Sequence, residues 1–471
     1  MSISPVTAWD PLRGDLSLPT LRALYQSGDV APVDVVRAIY RRIAARGNDA
    51  TWITLVPEKA ALDQAKLLTA QAVRETLPLY GIPFAVKDNI DVAGLPTTAA
   101  CPGFSHVPSE SAPSVAALLD VGAICLGKTN LDQFATGLCG IRSPYGPCAS
   151  VFNPDYAAGG SSSGSAVAVG GGLASFALGT DTGGSGRIPA GYNNIVGIKP
   201  TLGLVSLRGV VPNCRTLDTV SIFALTAADG AEVLRLVAKY DPNDPFSRQT
   251  PHRDVQQPTG VDLDPRSLTF GVPREKDREF FGNRDAAALF DAAAARIGGL
   301  GVRIVEIDFA PFVEAGQMMF GGPWVAERVA GLSDFLPLRR DDLLPITRAI
   351  FDTAGRWSAA DAFTQLYRLR TLKRALETEV WPQIDMLLVP TAPTAYRIAE
   401  LEEEPILRNN HLGHYSYFVN LLDLCAVSIP NGFLPSNGVA MGVTLVAPAW
   451  QDGALAAIAA KCHAALHAPP P

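Results

Sequence analysis

Residues 159–191 read GGSSSGSAVAVGGGLASFALGTDTGGSGRIPAG: two Gly/Ser clusters joined by a run of small apolar residues. Glycine lets a backbone turn tightly and approach a neighbour closely. Two such clusters, each carrying serines, predict loops that present hydroxyls and backbone N–H groups to one ligand. The run between them, Ala166 to Ala174, predicts a closely packed helix, and Ser175 to Leu178 a short buried strand. A flexible linker is the plainer reading, but Gly/Ser linkers carry no apolar run of this length.

Elsewhere strands and helices alternate. Helices are expected at Thr20–Ser27, at Pro32–Arg46 with Arg37, Arg41 and Arg42 off its apolar face, and over 57–75. Further helices are expected over 285–298, 312–334, 359–379 and Gly453–His467, the last with Cys462, His463 and His467 at its surface. Strands are expected at Ile82–Val92, Ala123–Leu126, Leu268–Val272, Val302–Ile307, Met386–Val389 and Gly438–Val446. The pattern predicts an α/β fold: a large mixed, mostly parallel central sheet covered by helices on both faces. A helical segment over 1–75 is expected to pack on a single domain over 76–467.

The net charge of −7 and the lack of a long basic run argue against nucleic acid as the main partner. The seven cysteines are scattered, with no CxxC pair, as expected of reduced thiols in a cytoplasm. No apolar run approaches the roughly 18 residues of a membrane span.

Lys87 falls within the apolar stretch Ile82–Val92. A lysine inside a buried strand is costly unless paired or neutral; an edge-strand lysine reaching water is equally open. Two motif matches are set aside. Gly122 to Thr129 fits GxxxxGK[ST], but its variable positions form the expected strand, not a phosphate-cradling turn. Gly160 to Gly164 fits GxSxG, but a turn-like segment precedes it where a nucleophile elbow needs a strand. None of the six histidines lies in either Ser/Gly cluster, which leaves a Ser-His-Asp arrangement open only through contacts in space.

Four motifs in order, GIPFAVKDNIDVAG (81–94), GKTNLDQFATG (127–137), GGSSSGSA (159–166) and GTDTGGSGRIPA (179–190), resemble the amidase signature family. The resemblance covers nearly the whole chain and implies a Ser–Ser–Lys triad. Carried over by position, Ser185 is the nucleophile, Ser161 the bridging serine with a cis peptide bond, and Lys87 the base. Backbone N–H groups of Thr182, Gly183, Gly184 and Ser185 are the implied oxyanion hole, and no metal or organic cofactor is implied. Gly186 departs from the family, which usually has a β-branched residue there, so a looser loop is expected.

Within the family, residues 320–328 (FGGPWVAER) and 412–424 (LGHYSYFVNLLDL) are similar to those of allophanate hydrolases. That likeness implies a small anionic amide as substrate and Arg328 as the clamp on its carboxylate. The plainer alternative for Arg328 is a surface arginine paired with a carboxylate. Phe320 stands where this branch has a tyrosine, so one hydroxyl contact is expected to be missing. Allophanate hydrolases carry a further C-terminal domain that aids decarboxylation, and none is expected in this chain. The expected reaction is therefore deamination of allophanate to N-carboxycarbamate and ammonia. A functional link to a urea carboxylase and a homodimer through the N-terminal helices are expected from the family. The competing readings are a biuret- or malonamide-type amidase, the glutaminase subunit of a tRNA amidotransferase, and a scaffold without activity.

Overall fold

The computed structural model describes residues 9–70, 76–251 and 263–467. Among them, eleven strands join in one sheet: β1 (Trp52–Leu55), β2 (Pro83–Lys87), β3 (Ile124–Thr129), β4 (Phe176–Thr180), β5 (Val196–Lys199), β6 (Val220–Ala224), β7 (Thr269–Pro273), β8 (Arg303–Ile307), β9 (Met386–Pro390), β10 (Leu424–Phe433) and β11 (Ala440–Pro448). Their spatial order is β1-β3-β2-β4-β6-β5-β10-β11-β9-β7-β8. The sheet is mixed, but the expected parallel majority is corrected. Only β2–β3, β2–β4, β7–β8 and β7–β9 run parallel. The other six neighbouring pairs are antiparallel, because β6, β5, β10 and β11 follow one another as antiparallel neighbours through the centre.

Both faces are covered, as alternation along single strands shows. Met386 and Leu388 of β9 enter one buried cluster, with Leu21, Ile39, Leu234 and Ile458 from helices. Leu387 and Val389 enter the other, with Phe312, Trp324, Leu372 and Phe418.

The N-terminal segment is not purely helical. After the helices Leu18–Ser27 and Pro32–Arg46 it supplies β1, an edge strand paired with β3. Arg42 departs from its expected solvent position: it is buried and donates to the carbonyls of Pro11, Gly14 and Gly172. The helix expected over 57–75 runs over Glu58–Ala70, and 71–75 lie outside the described residues. The helix expected over 312–334 is two, Ala310–Gly321 and Trp324–Gly331, broken where Pro323 cannot donate and Gly322 is extended. Cys462 in the last helix is fully buried, not at the surface as expected. The strand β3 runs straight through Gly127, Lys128 and Thr129, all buried, with Lys128 Nζ 3.2 Å from Asp88 Oδ1, so no phosphate loop exists there.

Candidate active site

The strand β2 lies between β3 and β4 and ends at Lys87, five residues earlier than its apolar content predicts. The residue is therefore central and fully buried, which settles the choice between an edge lysine and an interior one. Its Nζ donates to Ser161 Oγ at 2.8 Å and to Thr180 Oγ1 at 2.7 Å. Burial pushes the amine down to about 7, against the opposing pull of the Asp132, Asp181 and Asp218 carboxylates. Once neutral, the amine offers a lone pair, and the 2.8 Å contact can run the other way, with the hydroxyl donating.

Ser161 follows a cis peptide bond from Gly160, as expected. Its neighbours are engaged elsewhere. Ser162 Oγ donates to the Thr180 carbonyl, and Ser163 Oγ is buried beside the Cys148 thiol. Of the three consecutive serines, Ser161 alone bonds the lysine. The helix Ser163–Gly170 packs so closely behind them that a Cβ on Gly164 would lie 2.3 Å from the Thr51 carbonyl oxygen.

Ser185 lies between β4 and the short helix Arg187–Tyr192. Its carbonyl accepts from Ser162 N at 3.3 Å, which places the two Ser/Gly loops side by side. Its Oγ donates a long 3.4 Å bond to the Gly137 carbonyl. Among the described residues no histidine is bonded to it. The loop is shaped by Asp181, whose carboxylate accepts from the backbone N–H groups of Gly184 and Gly186 and pairs with Arg187 at 2.9 Å. Burial alone would raise this carboxyl, but Arg187, Lys199 and the Gly184 N–H hold it below its ordinary value.

That wiring corrects the implied oxyanion hole. The Gly184 N–H is spent on Asp181 Oδ1 at 2.8 Å, so it is not available to a substrate. The N–H groups of Thr182, Gly183 and Ser185 have no acceptor among the described residues. A Cβ on Gly186 would lie 2.6 Å from Ser221 Cβ, so Ser221 occupies the space of a side chain there.

Arg328 is buried, 2% exposed, which removes the surface reading. It forms no ion pair among the described residues, and its Nε and Nη1 lack hydrogen-bond partners. Its guanidinium lies 4.1 Å from the centre of the Phe320 ring. The Phe320 and Tyr417 ring centres are 5.3 Å apart, and a Cβ on Gly183 would meet Tyr417 Cδ1 at 3.0 Å. Gly183, Tyr417, Phe320 and Arg328 thus form one continuous wall. Phe320 and Tyr417 also border a cavity of about 380 Å³, with Gln317, His411 and His414. A buried guanidinium without a counter-ion is an arrangement ready to take an anion.

Sequence reasoning missed Thr180, Asp181, Asp218 and Tyr417. Asp181 and Arg187 within one motif carried a signal, an acid and a base in a glycine-rich loop. Asp218 and Tyr417 meet the loop only through tertiary contact.

An amidase family profile matches residues 34–456. Urea amidolyase of Saccharomyces cerevisiae is 40% identical over 450 residues, covering 94% of this chain but only 23% of that protein. The solved allophanate hydrolase of Kluyveromyces lactis superposes with a TM-score of 0.87 at 38% identity, over 98% of this chain and 74% of that one. A glutamyl-tRNA(Gln) amidotransferase subunit of Streptococcus thermophilus is 31% identical over 95% of this chain and 96% of that protein. With a buried lysine–serine contact, a cis-linked serine and a profile match across most of its length, the chain belongs to the amidase family.

Proposed function

We propose that the chain is a serine amidohydrolase that deaminates allophanate to N-carboxycarbamate and ammonia. The observation that carries this reading is the buried Arg328 guanidinium, which has no carboxylate partner among the described residues, on the wall that begins at Gly183. The likeness to a urea amidolyase and to a solved allophanate hydrolase supports the same substrate.

In this reading Ser185 Oγ attacks the amide carbonyl while its proton passes to Ser161, which gives its own to the neutral Lys87 amine. The developing oxyanion faces the N–H groups of Thr182, Gly183 and Ser185. Collapse expels ammonia, which takes the proton back along the same path. Water then opens the acyl-enzyme by repeating the transfer, and the released N-carboxycarbamate loses CO2. Arg328 holds the distal carboxylate as a fork. No step calls for a cofactor. Allophanate is what carboxylation of urea yields, so a urea carboxylase is the proposed source of substrate, and a homodimer in a cytoplasm the proposed state.

The amidotransferase relatives support a second reading, a glutaminase component of such an enzyme. Ammonia release from allophanate, biuret, malonamate and glutamine, measured side by side, separates the two. Preference for the first supports the proposal, and preference for glutamine overturns it.

A further inference from the structure

The turn over residues 213–218 touches three walls of the site. Asn213 Nδ2 donates to the Phe134 carbonyl at 2.8 Å, in the segment that leads to Gly137 and its bond from Ser185. Cys214 Sγ donates to the Trp324 carbonyl at 3.5 Å, in the helix that carries Arg328, and the thiol also feels the Arg328 charge. The third contact belongs to Asp218, which is buried. Its Oδ2 accepts from Asn213 N at 2.9 Å and its Oδ1 from Cys214 N at 3.1 Å, which holds the turn closed. Its shortest bond leaves the turn: Thr182 Oγ1 donates to Oδ1 at 2.5 Å.

Thr182 opens the stretch with the free N–H groups. Thr182 is held by Asp218, the Gly183 carbonyl by Ser416 Oγ at 2.8 Å, Gly184 N by Asp181 and the Gly184 carbonyl by Ile188 N at 2.9 Å, while Ser185 meets Ser162 N and the Gly137 carbonyl. Of these anchors, Asp218 alone belongs to the turn that also rests on the helix of Arg328. Capping its own turn would account for two of its bonds. It does not account for the third, to the serine loop.

We infer that Asp218, through Thr182, is a positioning residue that sets the span between the oxyanion N–H groups and the Arg328 guanidinium, and so selects amides by the distance from carbonyl to carboxylate. This rests on the proposed roles of Ser185 and Arg328. A misplacement of about 1 Å is enough to cost on the order of 100-fold in a positioned reaction, so the span is a sensitive discriminator.

The test compares malonamate with succinamate, one methylene longer, as substrates of the full chain carrying Thr182→Val, Thr182→Ser or Asp218→Asn. Thr182→Val leaves both turn-closing bonds of Asp218 intact, so it reads the cross-link even if Asp218→Asn fails to fold. The expected result is a ratio of kcat/KM, malonamate over succinamate, that falls about tenfold in Thr182→Val. Thr182→Ser, which keeps the hydroxyl, retains the wild-type ratio. An unchanged ratio in Thr182→Val, or equal losses on both substrates, overturns the inference and leaves the amidase reading standing. A wild-type protein that hydrolyses allophanate but neither of these amides overturns the inference alone, and one that hydrolyses none of the three overturns both.

Discussion

Lys87 Nζ stands 2.8 Å from Ser161 Oγ, and neither residue is exposed to water. An ammonium in that position has no carboxylate within ion-pair distance among the described residues. Burial dominates its titration and brings it down to about 7. Because only the neutral amine accepts a proton, kcat/KM is expected to rise with pH and level off above about 7. The Asp132, Asp181 and Asp218 carboxylates oppose the shift, so Asp218→Asn moves the rising limb to lower pH. A pH profile of ammonia release checks both signs.

Arg328 sets function against stability. Its guanidinium is buried without a counter-ion among the described residues, which costs folding free energy in the absence of substrate. Arg328→Met is therefore expected to hold or raise the melting temperature. It should raise KM for a carboxylate amide by about 10- to 100-fold, the worth of a charged hydrogen-bonded contact, with a much smaller effect on a neutral amide. Calorimetry with kinetics on both substrates reads the split. A drop of several degrees in melting temperature assigns Arg328 a structural role instead.

Phe320 touches both Arg328 and Tyr417 with its ring. Phe320→Tyr adds a hydroxyl on the wall where the proposed substrate lies. It is expected to lower KM for allophanate by several-fold, as one hydrogen bond of about 1 kcal/mol does. Steady-state kinetics of that variant decide it.

Gly186 and Ser221 fill one space between them. Gly186→Ala places a methyl against Ser221 Cβ and is expected to cost about 1–3 kcal/mol by overpacking. Adding Ser221→Gly recovers most of that loss. Denaturant titration of the single and double variants measures the coupling.

The serine loops were legible because Gly and Ser cluster there around an apolar run, and the family resemblance of the four motifs pointed to Lys87, Ser161 and Ser185. The helix Ala359–Glu379 and the start of the helix at Pro32 followed from periodicity and a first-turn proline. Strand direction was not legible: the segment of β11 read as an apolar run, and apolar content does not distinguish antiparallel from parallel neighbours when both faces are covered. The spent N–H of Gly184 was equally hidden, since it depends on where one carboxylate oxygen of Asp181 lies. Asp218 reaches Thr182 across 36 residues, and no local pattern marks such a contact.

The central claim is that Lys87, through Ser161, makes Ser185 the nucleophile. Treatment with a fluorophosphonate, which phosphonylates an activated serine hydroxyl, followed by peptide mass mapping tests it without reference to any substrate. A single adduct on Ser185 is predicted, lost in Lys87→Met while the protein stays folded. An adduct on Ser162 or Ser163, or one on Ser185 that forms equally fast without Lys87, would contradict it.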